Sequence, residues 1–255
     1  MKKMRLMMAA AAGIAAMAGT AHAEEPKPTF TGNVALVSDY AFRGLSQTEV
    51  APAVQGGFDY GYGSFYAGTW ASSVDFKDLG LDASLELDLY AGLKFPLGPV
   101  GMDVGVIGYY YPNAKEAKGG FGEADYYEGY VKGSVPLGDK VTVGAAAYYS
   151  PEFTLETGTA TYFEGNAAFT VSPALSFSGA IGVQDIEDVN GIAAGTPGDN
   201  YTTWNLGGTV SAYGFSFDLR YVDTSIEKAD PFITTAYTTV QRSDGRGIFT
   251  IKRAF

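Results

Sequence analysis

The segment from Leu81 to Phe95 alternates apolar and polar side chains at every step. In a β-strand successive side chains point to opposite faces, whereas a helix would mix the two sets around its axis. The segment therefore predicts a strand with one apolar face and one polar face. The apolar set is Leu81, Ala83, Leu85, Leu87, Leu89, Ala91, Leu93 and Phe95, and the other set is Asp82, Ser84, Glu86, Asp88, Tyr90, Gly92 and Lys94.

The same alternation recurs along most of the chain. Beyond residue 23 there is no run of about 18 consecutive apolar residues, which excludes helical membrane spans. A tilted strand crosses lipid with about 9–11 residues, and the alternating segments reach that length. We predict twelve strands, at Phe30–Phe42, Ala51–Tyr60, Ser64–Ser72, Leu81–Phe95, Gly101–Tyr111, Ala124–Val135, Lys140–Ser150, Thr159–Val171, Ala174–Asp185, Tyr201–Ala212, Gly214–Asp223 and Arg246–Phe255.

The connections between these strands alternate between short and long. Short turns fall at Gly61–Gly63, Pro96–Pro99, Pro136–Asp139, Ser172–Pro173 and Tyr213, and longer polar segments at Arg43–Val50, Ser73–Gly80, Pro112–Glu123, Pro151–Gly158, Ile186–Asn200 and Thr224–Gly245. Transmembrane barrels show this asymmetry and an even strand count. We therefore expect an all-β, antiparallel, up-and-down transmembrane barrel of twelve strands with periplasmic N- and C-termini. The alternative is a soluble β-sandwich, which has no reason to place every short turn at one edge.

The first 23 residues have three parts. Basic residues at Lys2, Lys3 and Arg5 precede an apolar stretch, which ends in the small-residue pattern Ala-His-Ala at positions 21–23. This pattern predicts a cleaved secretory signal peptide over residues 1–23 and one barrel domain over residues 24–255. We expect the exported domain to lie in the cell outer membrane, in contact with its lipid.

The segment Ile248–Phe255 alternates and ends in phenylalanine. It resembles the terminal strand by which bacterial outer-membrane barrels are recognised for assembly. The barrel-assembly machinery is therefore an expected partner during biogenesis.

Several function classes are excluded by composition. Cysteine is absent, and the one histidine, His22, lies in the predicted signal peptide. Ser-His or Cys-His nucleophiles, a histidine general base and zinc sites all need these residues. The balance of 28 Asp and Glu against 17 Lys and Arg would repel nucleic-acid phosphates. The loop Asp185–Asn200 carries oxygen ligands without an ordered spacing. We expect no enzyme, no metal, no cofactor and no nucleic-acid partner.

If the leucine face of Leu81–Phe95 meets lipid, its charged face points into the barrel. The same parity on further strands predicts pore-lining side chains of both signs. The candidates are Asp82, Glu86, Asp88, Tyr90, Lys94, Asp103, Tyr109, Glu128, Tyr130, Lys132, Glu164, Asn166, Asp218 and Arg220. These charges either pair across strands and plug the barrel, or border a water-filled path that the excess of acid makes cation-preferring. Twelve strands permit either interior.

Aromatic residues near predicted strand ends fit the interfacial girdles of a barrel, where an amphipathic ring sits at headgroup depth. The girdle candidates are Tyr60, Trp70, Tyr148, Tyr149, Tyr201 and Trp204.

Four segments are similar to a known family: Ser38–Ser46 (SDYAFRGLS), Pro52–Tyr60 (PAVQGGFDY), Tyr66–Ser72 (YAGTWAS) and Glu86–Gly92 (ELDLYAG). They closely resemble the TorF-type porin family, the Gcw_chp proteins of unknown function from proteobacteria, and the resemblance extends over nearly all of the chain beyond residue 23. It implies an outer-membrane location and a pore. Asp39 and Arg43 are pore-mouth candidates, because the first strand gives way there to the first external loop. Arg43 is either a charged constriction element or the partner of a neighbouring loop acid, with Gly44 allowing the turn.

We expect a porin-like channel for passive diffusion of small solutes or ions, with a preference for cations. One alternative is a closed structural or adhesive barrel that binds a partner through its external loops. The other is an outer-membrane hydrolase, which the missing histidine disfavours. The sequence leaves the oligomeric state and the solute open.

Overall fold

The structure is a computed structural model that describes residues 26–77, 81–112, 114, 123–187, 200–226 and 242–255. The predicted signal peptide, residues 1–23, lies outside the described residues, as do parts of four predicted long loops. Within the described ranges, no helix is both long and apolar enough to cross a membrane.

In the described part of the chain, twelve strands form one closed antiparallel barrel. Each wall strand pairs with its neighbour along the chain, and the last pairs with the first. The predicted twelve-stranded barrel is confirmed. The wall strands are β1 (Thr29–Val37), β4 (Ala53–Tyr62), β5 (Phe65–Ser73), β6 (Leu85–Leu97), β7 (Val100–Tyr110), β8 (Tyr126–Leu137), β9 (Val141–Ser150), β10 (Ala160–Ser172), β11 (Leu175–Ile186), β12 (Asn200–Ala212), β13 (Phe215–Thr224) and β14 (Arg246–Ala254).

Two further strands, β2 (Ala41–Phe42) and β3 (Leu45–Ser46), pair only with each other. They form a small sheet separate from the barrel wall. We call Ala41–Ser46 the inner hairpin. A short 3-10 helix at Thr154–Glu156 lies in the connection between β9 and β10.

The barrel closes where β14 meets β1. The pairing runs from Asn33 opposite Ala254 to Val37 opposite Thr250. Beyond it, Gly32 and Phe255 exchange both backbone hydrogen bonds at 2.9 Å. Closure in this way leaves neither edge of the sheet unpaired, which is what lipid requires of a spanning sheet.

The five short turns lie at one end of the barrel, together with both described ends of the chain. Thr29 pairs with Gly61, next to the first short turn, and Ala254 pairs with Asn33. The turn between β12 and β13 uses Tyr213 and Gly214, with φ of 54° and 80°. Two successive residues with positive φ are typical of a type I′ hairpin turn. We call this the turn end and the opposite end the loop end.

Two predicted strands differ from the observed ones by more than two residues at one end. The first was expected to run from Phe30 to Phe42, but β1 ends at Val37 because the chain then leaves the wall and turns inward. The strand expected at Leu81–Phe95 begins at Leu85 and continues to Leu97. Its first residues instead pack over the loop end of the barrel interior, where Leu81 and Ala83 are buried in an apolar cluster.

Large apolar side chains cover the outer face of the wall. The alternation predicted from sequence places one face of each strand outward, and its apolar groups are exposed. Lipid can cover a band of this kind, whereas exposure of so large an apolar surface to water would be unfavourable. Its exposed members include Leu36, Phe58, Leu89, Val106, Val131, Phe163, Ile181, Leu206 and Leu219.

A charge at the middle of this outer band should destabilise the barrel in lipid. Leu206 is 67% exposed at the centre of β12. We expect Leu206→Arg to lower the free energy of unfolding in lipid vesicles by about 2–4 kcal/mol, as measured by urea titration. The matched control is Thr202→Arg, nearer the loop end and opposite the exposed Val183, which should cost at most about 1 kcal/mol. Equal costs at both positions would contradict the membrane orientation.

Candidate functional site

The inner hairpin folds into the barrel from the loop end. Its two turn residues, Arg43 and Gly44, have φ of 46° and 87°, the signature of a type I′ turn. The preceding Asp39 is buried and accepts hydrogen bonds from the hydroxyls of Ser46 and Thr48. Asp39 also pairs with the guanidinium of Arg246 on β14. These bonds turn the chain inward after β1 and fix the base of the hairpin.

Arg43 is buried inside the barrel at the tip of the hairpin. One nitrogen donates to Glu128 on β8 at 2.7 Å, and another donates to Gln184 on β11 at 2.8 Å. The side chains of Arg43 and Glu128 are only 6% and 1% exposed. The guanidinium carbon lies 5.0 Å from the ring centre of Tyr148 and 4.4 Å from that of Tyr162. Arg43 thus joins the hairpin to four consecutive strands, β8 to β11.

The opposite side of the turn contacts the other half of the wall. A Cβ at Gly44 would lie 2.4 Å from Thr224 Cγ2 and 2.6 Å from Thr203 Oγ1, so only glycine fits. The Gly44 carbonyl accepts a hydrogen bond from Arg246 at 3.2 Å. The tip therefore extends across the barrel, from β8–β11 to β12–β14.

The segment leading into the hairpin contacts β5, β6 and β7. The Tyr40 hydroxyl donates to Glu86 at 2.6 Å, and its ring lies edge-on to Trp70 at 5.3 Å. The Phe42 ring lies 5.7 Å from that of Tyr109. Burial and the adjacent Glu86 carboxylate raise the pKa of Tyr40, so its hydroxyl stays protonated and remains a donor.

An apolar cluster lies above the hairpin at the loop end. It combines strand ends with residues of the loop segments that precede or follow them, and Phe42 packs against it. Its aromatic rings pack closely; the Tyr126 and Phe153 centroids are 4.7 Å apart. Its residues belong to the loop-end parts of β5 to β11 and to the segments that join them. The buried residues are Val74, Phe76, Leu81, Ala83, Tyr109, Tyr111, Ala124, Tyr126, Phe153, Ala160 and Ile186.

A cavity of about 520 Å³ lies beside the hairpin. That volume lies within the range of small-molecule binding sites. Polar and aromatic groups alternate around it, and charged groups of both signs are among them. Its walls include Asp39, Arg43, Gln55, Trp70, Tyr109, Tyr148, Tyr162, Glu164, Asn205, Asp218 and Arg220.

The chain matches the family model described as a bacterial protein of unknown function, Gcw_chp, over residues 20–255. The chain belongs to the Gcw_chp family. No curated protein is significantly similar to it.

Solved structures share the fold of this Gcw_chp barrel at low sequence identity. The KdgM porin has a TM-score of 0.54 and 8% identity, over 89% of this chain and 99% of that one. A structure from work on in-meso crystallization of membrane proteins has a TM-score of 0.50 and 11% identity, over 89% and 83%. OmpT of Vibrio cholerae, expressed in the outer membrane, is more distant, with a TM-score of 0.44 and 12% identity over 92% and 98%. The fold is that of the outer-membrane porin barrels.

Most pore-lining candidates of the Gcw_chp barrel lie on its inner face, each with a partner. Toward the turn end, Tyr66 donates to Asp103 at 2.6 Å and its hydroxyl contacts that of Tyr130. The ammonium groups of Lys94 and Lys132 lie 4.6 Å and 4.2 Å from the ring centres of Tyr66 and Tyr130. The rings lie flat over glycines of adjacent strands, which keeps them against the wall.

The remaining candidates on the inner face are also hydrogen-bonded, except that Asp88 Oδ1 has no partner among the described residues. Tyr90 donates to Asp59 at 2.7 Å, and Asn166 to Glu164 at 3.1 Å. Arg220 contacts the amide of Asn205 at 2.6 Å and Asp218 at 3.2 Å. Glu86, Asp88, Tyr109 and Glu128 lie around the inner hairpin.

Asp82 does not point inward, and that prediction is wrong. The alternation shifts between Ser84 and Leu85, both of which are exposed. As a result Leu81 and Ala83 are buried while Asp82 is exposed, outside the strand. The sequence showed unbroken alternation here, so it gave no sign of the shift.

The pore-mouth candidates lie inside the barrel rather than at its rim. Arg43 pairs with an acid on a wall strand, Glu128, and not with a loop acid. Asp39 anchors the base of the hairpin. The sequence analysis missed Gln184 and Tyr162, although both have the inward parity of their strands.

Of the girdle candidates, some face outward, as a girdle requires, and others face inward, where the prediction is wrong. Tyr149 and Trp204 are exposed on the outer face, and Tyr60 packs against the exposed Phe30. Trp70 and Tyr148 instead line the interior cavity, and Tyr201 is buried. The parity of each position in its strand would have distinguished the outward aromatics from the inward ones. Trp70 lies on the same face of β5 as Tyr66, and Phe65 lies on the opposite, outer face.

Among the described residues no group of three or more His, Cys, Asp and Glu side chains is arranged to hold a metal ion. The oxygen ligands predicted around Asp185 lie partly in the segment 188–199, outside the described residues.

Substitutions of Arg43 and Glu128 should have strongly coupled effects on the free energy of unfolding. Arg43→Met leaves a buried carboxylate without its cation and should lower the free energy of unfolding by about 3–5 kcal/mol in urea titrations. Adding Glu128→Gln should restore part of that loss, because the charge is then removed. The control is Arg220→Met, whose ion pair is more exposed and should cost less. Additive effects of the two substitutions would contradict the coupling.

Proposed function

We propose that this protein is an outer-membrane channel through which small solutes or ions diffuse passively, with the inner hairpin as its constriction. The observation that carries the proposal is the polar cavity beside the hairpin, inside a barrel with an apolar outer band. An inner face lined by charged and hydroxyl groups has no benefit for a barrel that only anchors in lipid, since apolar packing would be more stable.

The location belongs to the same proposal. Residues 1–23 would act as a cleaved signal peptide and residues 24–255 as the exported barrel, assembled by the barrel-assembly machinery. The short-turn end, with both termini, would then face the periplasm. Assignment to the TorF-type porins is part of this proposal, and the oligomeric state stays open.

The charges near the hairpin support a preference for cations. Asp39, Glu86, Asp88 and Glu128 lie there, with Arg43, Arg242 and Arg246 as the nearby cations. Toward the turn end, acids and lysines alternate across strands: Asp103 is opposite Lys94 on one side and Lys132 on the other. The loop-end zone therefore carries the excess of negative charge, at the proposed constriction, where charge would set ion preference.

We further propose that the barrel is not an enzyme. Its function as a channel would require no residue that takes or gives protons. A lipid or peptide hydrolysis assay on the folded barrel tests the hydrolase alternative, and turnover above a boiled control would contradict our proposal.

A second function, a closed barrel that binds a partner through its loops, is favoured by one observation. The apolar cluster above the hairpin packs the described loop segments between β5 and β11 against one another. A barrel sealed by such packing would hold its loops rigidly for a partner and conduct nothing.

Conductance in a planar bilayer separates the two functions. We expect the purified, heat-modifiable protein to give stable conductance steps, and a reversal potential under a KCl gradient that favours K⁺. Silence from a folded barrel would support the closed alternative.

Removing the tip of the constriction should enlarge the conducting path. We expect Arg43→Ala to raise single-channel conductance roughly twofold or more, because the hairpin loses its attachment to β8–β11. Arg253→Ala is the control, since that side chain lies over Phe215 at the turn end, away from the hairpin. Unchanged conductance in the Arg43 variant would place the constriction elsewhere.

A further inference from the structure

Asp88 is a buried carboxylate with one unpartnered oxygen. Its residue is 6% exposed on the inner face of β6, and its Oδ1 has no hydrogen-bond partner among the described residues. Burying a charge without compensation is costly, so native structures pair such groups or neutralise them. A group other than the described residues should therefore compensate Asp88.

Two other carboxylates lie close by, and both are satisfied. Glu128 is paired with Arg43 and accepts from the hydroxyl of Tyr109 at 3.0 Å. Glu86 accepts from Tyr40 and from Tyr111, at 2.6 Å and 2.8 Å. The hydroxyl donors satisfy Glu86 but bring no positive charge. One guanidinium thus serves three buried carboxylates, and the surplus is negative.

Aromatic rings flank Asp88 on both sides. In the strand register it lies between Trp70 on β5 and Tyr109 on β7. The Tyr40 ring packs edge-on against Trp70, with centroids 5.3 Å apart, and Phe42 packs edge-on against Tyr109 at 5.7 Å. The faces of such rings attract cations, and most strongly when water is excluded. A carboxylate between electron-rich rings suits a cation with a single charge.

The site adjoins the interior cavity. Trp70 and Tyr109, the two flanking residues, both line it, so the proposed site is next to the lumen. A divalent metal is disfavoured, because the described residues hold no multidentate group of acids arranged for one.

We propose that Asp88, with the rings of Trp70 and Tyr109, forms a binding site for a monovalent cation just beneath the inner hairpin. The inference rests on the proposed channel function, since the cation would arrive through the lumen. Glu86 and Glu128 strengthen binding through their charge without contacting the ion. An alkali cation and a small alkylammonium ion share this chemistry.

The fluorescence of Trp70 reports on the site without any need for transport. The chain has two tryptophans, so Trp204→Phe leaves Trp70 as the sole reporter. We would titrate this folded variant with KCl, and separately with tetramethylammonium chloride, at constant ionic strength balanced by N-methylglucamine chloride. We expect a saturable change in emission with at least one of the two cations, and which one responds identifies the ion class.

Two added substitutions test the role of Asp88. Asp88→Asn should abolish the saturable change or weaken the apparent affinity at least tenfold, whereas Asp88→Glu should retain it. Asp103→Asn is the matched control on the same inner face, and it should leave the titration unchanged. Heat-modifiable migration on gels verifies that each variant is folded.

The outcomes separate this inference from the proposed function. A titration that Asp88→Asn leaves unchanged, or no response to either cation, would overturn the site and indicate that a proton neutralises Asp88, even if the barrel conducts. A saturable, Asp88-dependent titration in a barrel that does not conduct would support the site and remove the channel.

Discussion

The rest of this structure depends on the pairing of every backbone amide and carbonyl within the chain. Lipid offers no hydrogen-bond partners, so a spanning sheet has to close on itself. Here closure is made by β14 against β1 and extends to the reciprocal bonds between Gly32 and Phe255. Once the sheet is closed, successive side chains of each strand face either the lipid or the lumen. The apolar band and the polar interior both follow from that division.

The interior is organised around one arginine. Arg43 enters a space with several carboxylates and tyrosines, and it compensates only Glu128 directly. Its removal from water is offset by two side-chain hydrogen bonds and by the faces of neighbouring rings. The hairpin can therefore stay inside a polar lumen, whereas an apolar tip would leave the buried polar groups around it without partners. The same arrangement leaves Asp88 as the carboxylate that no residue of the described chain compensates.

Much of the fold could be predicted from the sequence, because a period of two determines both the strand and its face. Lumen residues such as Glu128 and Arg220 follow directly from that parity. Asp82 did not, since the alternation of the letters continues through a place where the strand has not begun. Trp70 and Tyr148 were misplaced because residue type was given more weight than parity. The inner hairpin could not be predicted, because strands of two residues show no alternation and the wall residues that the hairpin contacts are distant in the sequence.

The inner hairpin makes its contacts with wall residues that are far away in the sequence. Arg43 meets Glu128 and Gln184 across separations of 85 and 141 residues, and Gly44 meets Arg246 across 202. Contacts of such range form late, because long segments have to be ordered first. The hairpin belongs to the beginning of the chain but cannot be seated until the final strand is in place. The full set of contacts that holds the first loop inside the lumen is therefore complete only when the barrel has closed.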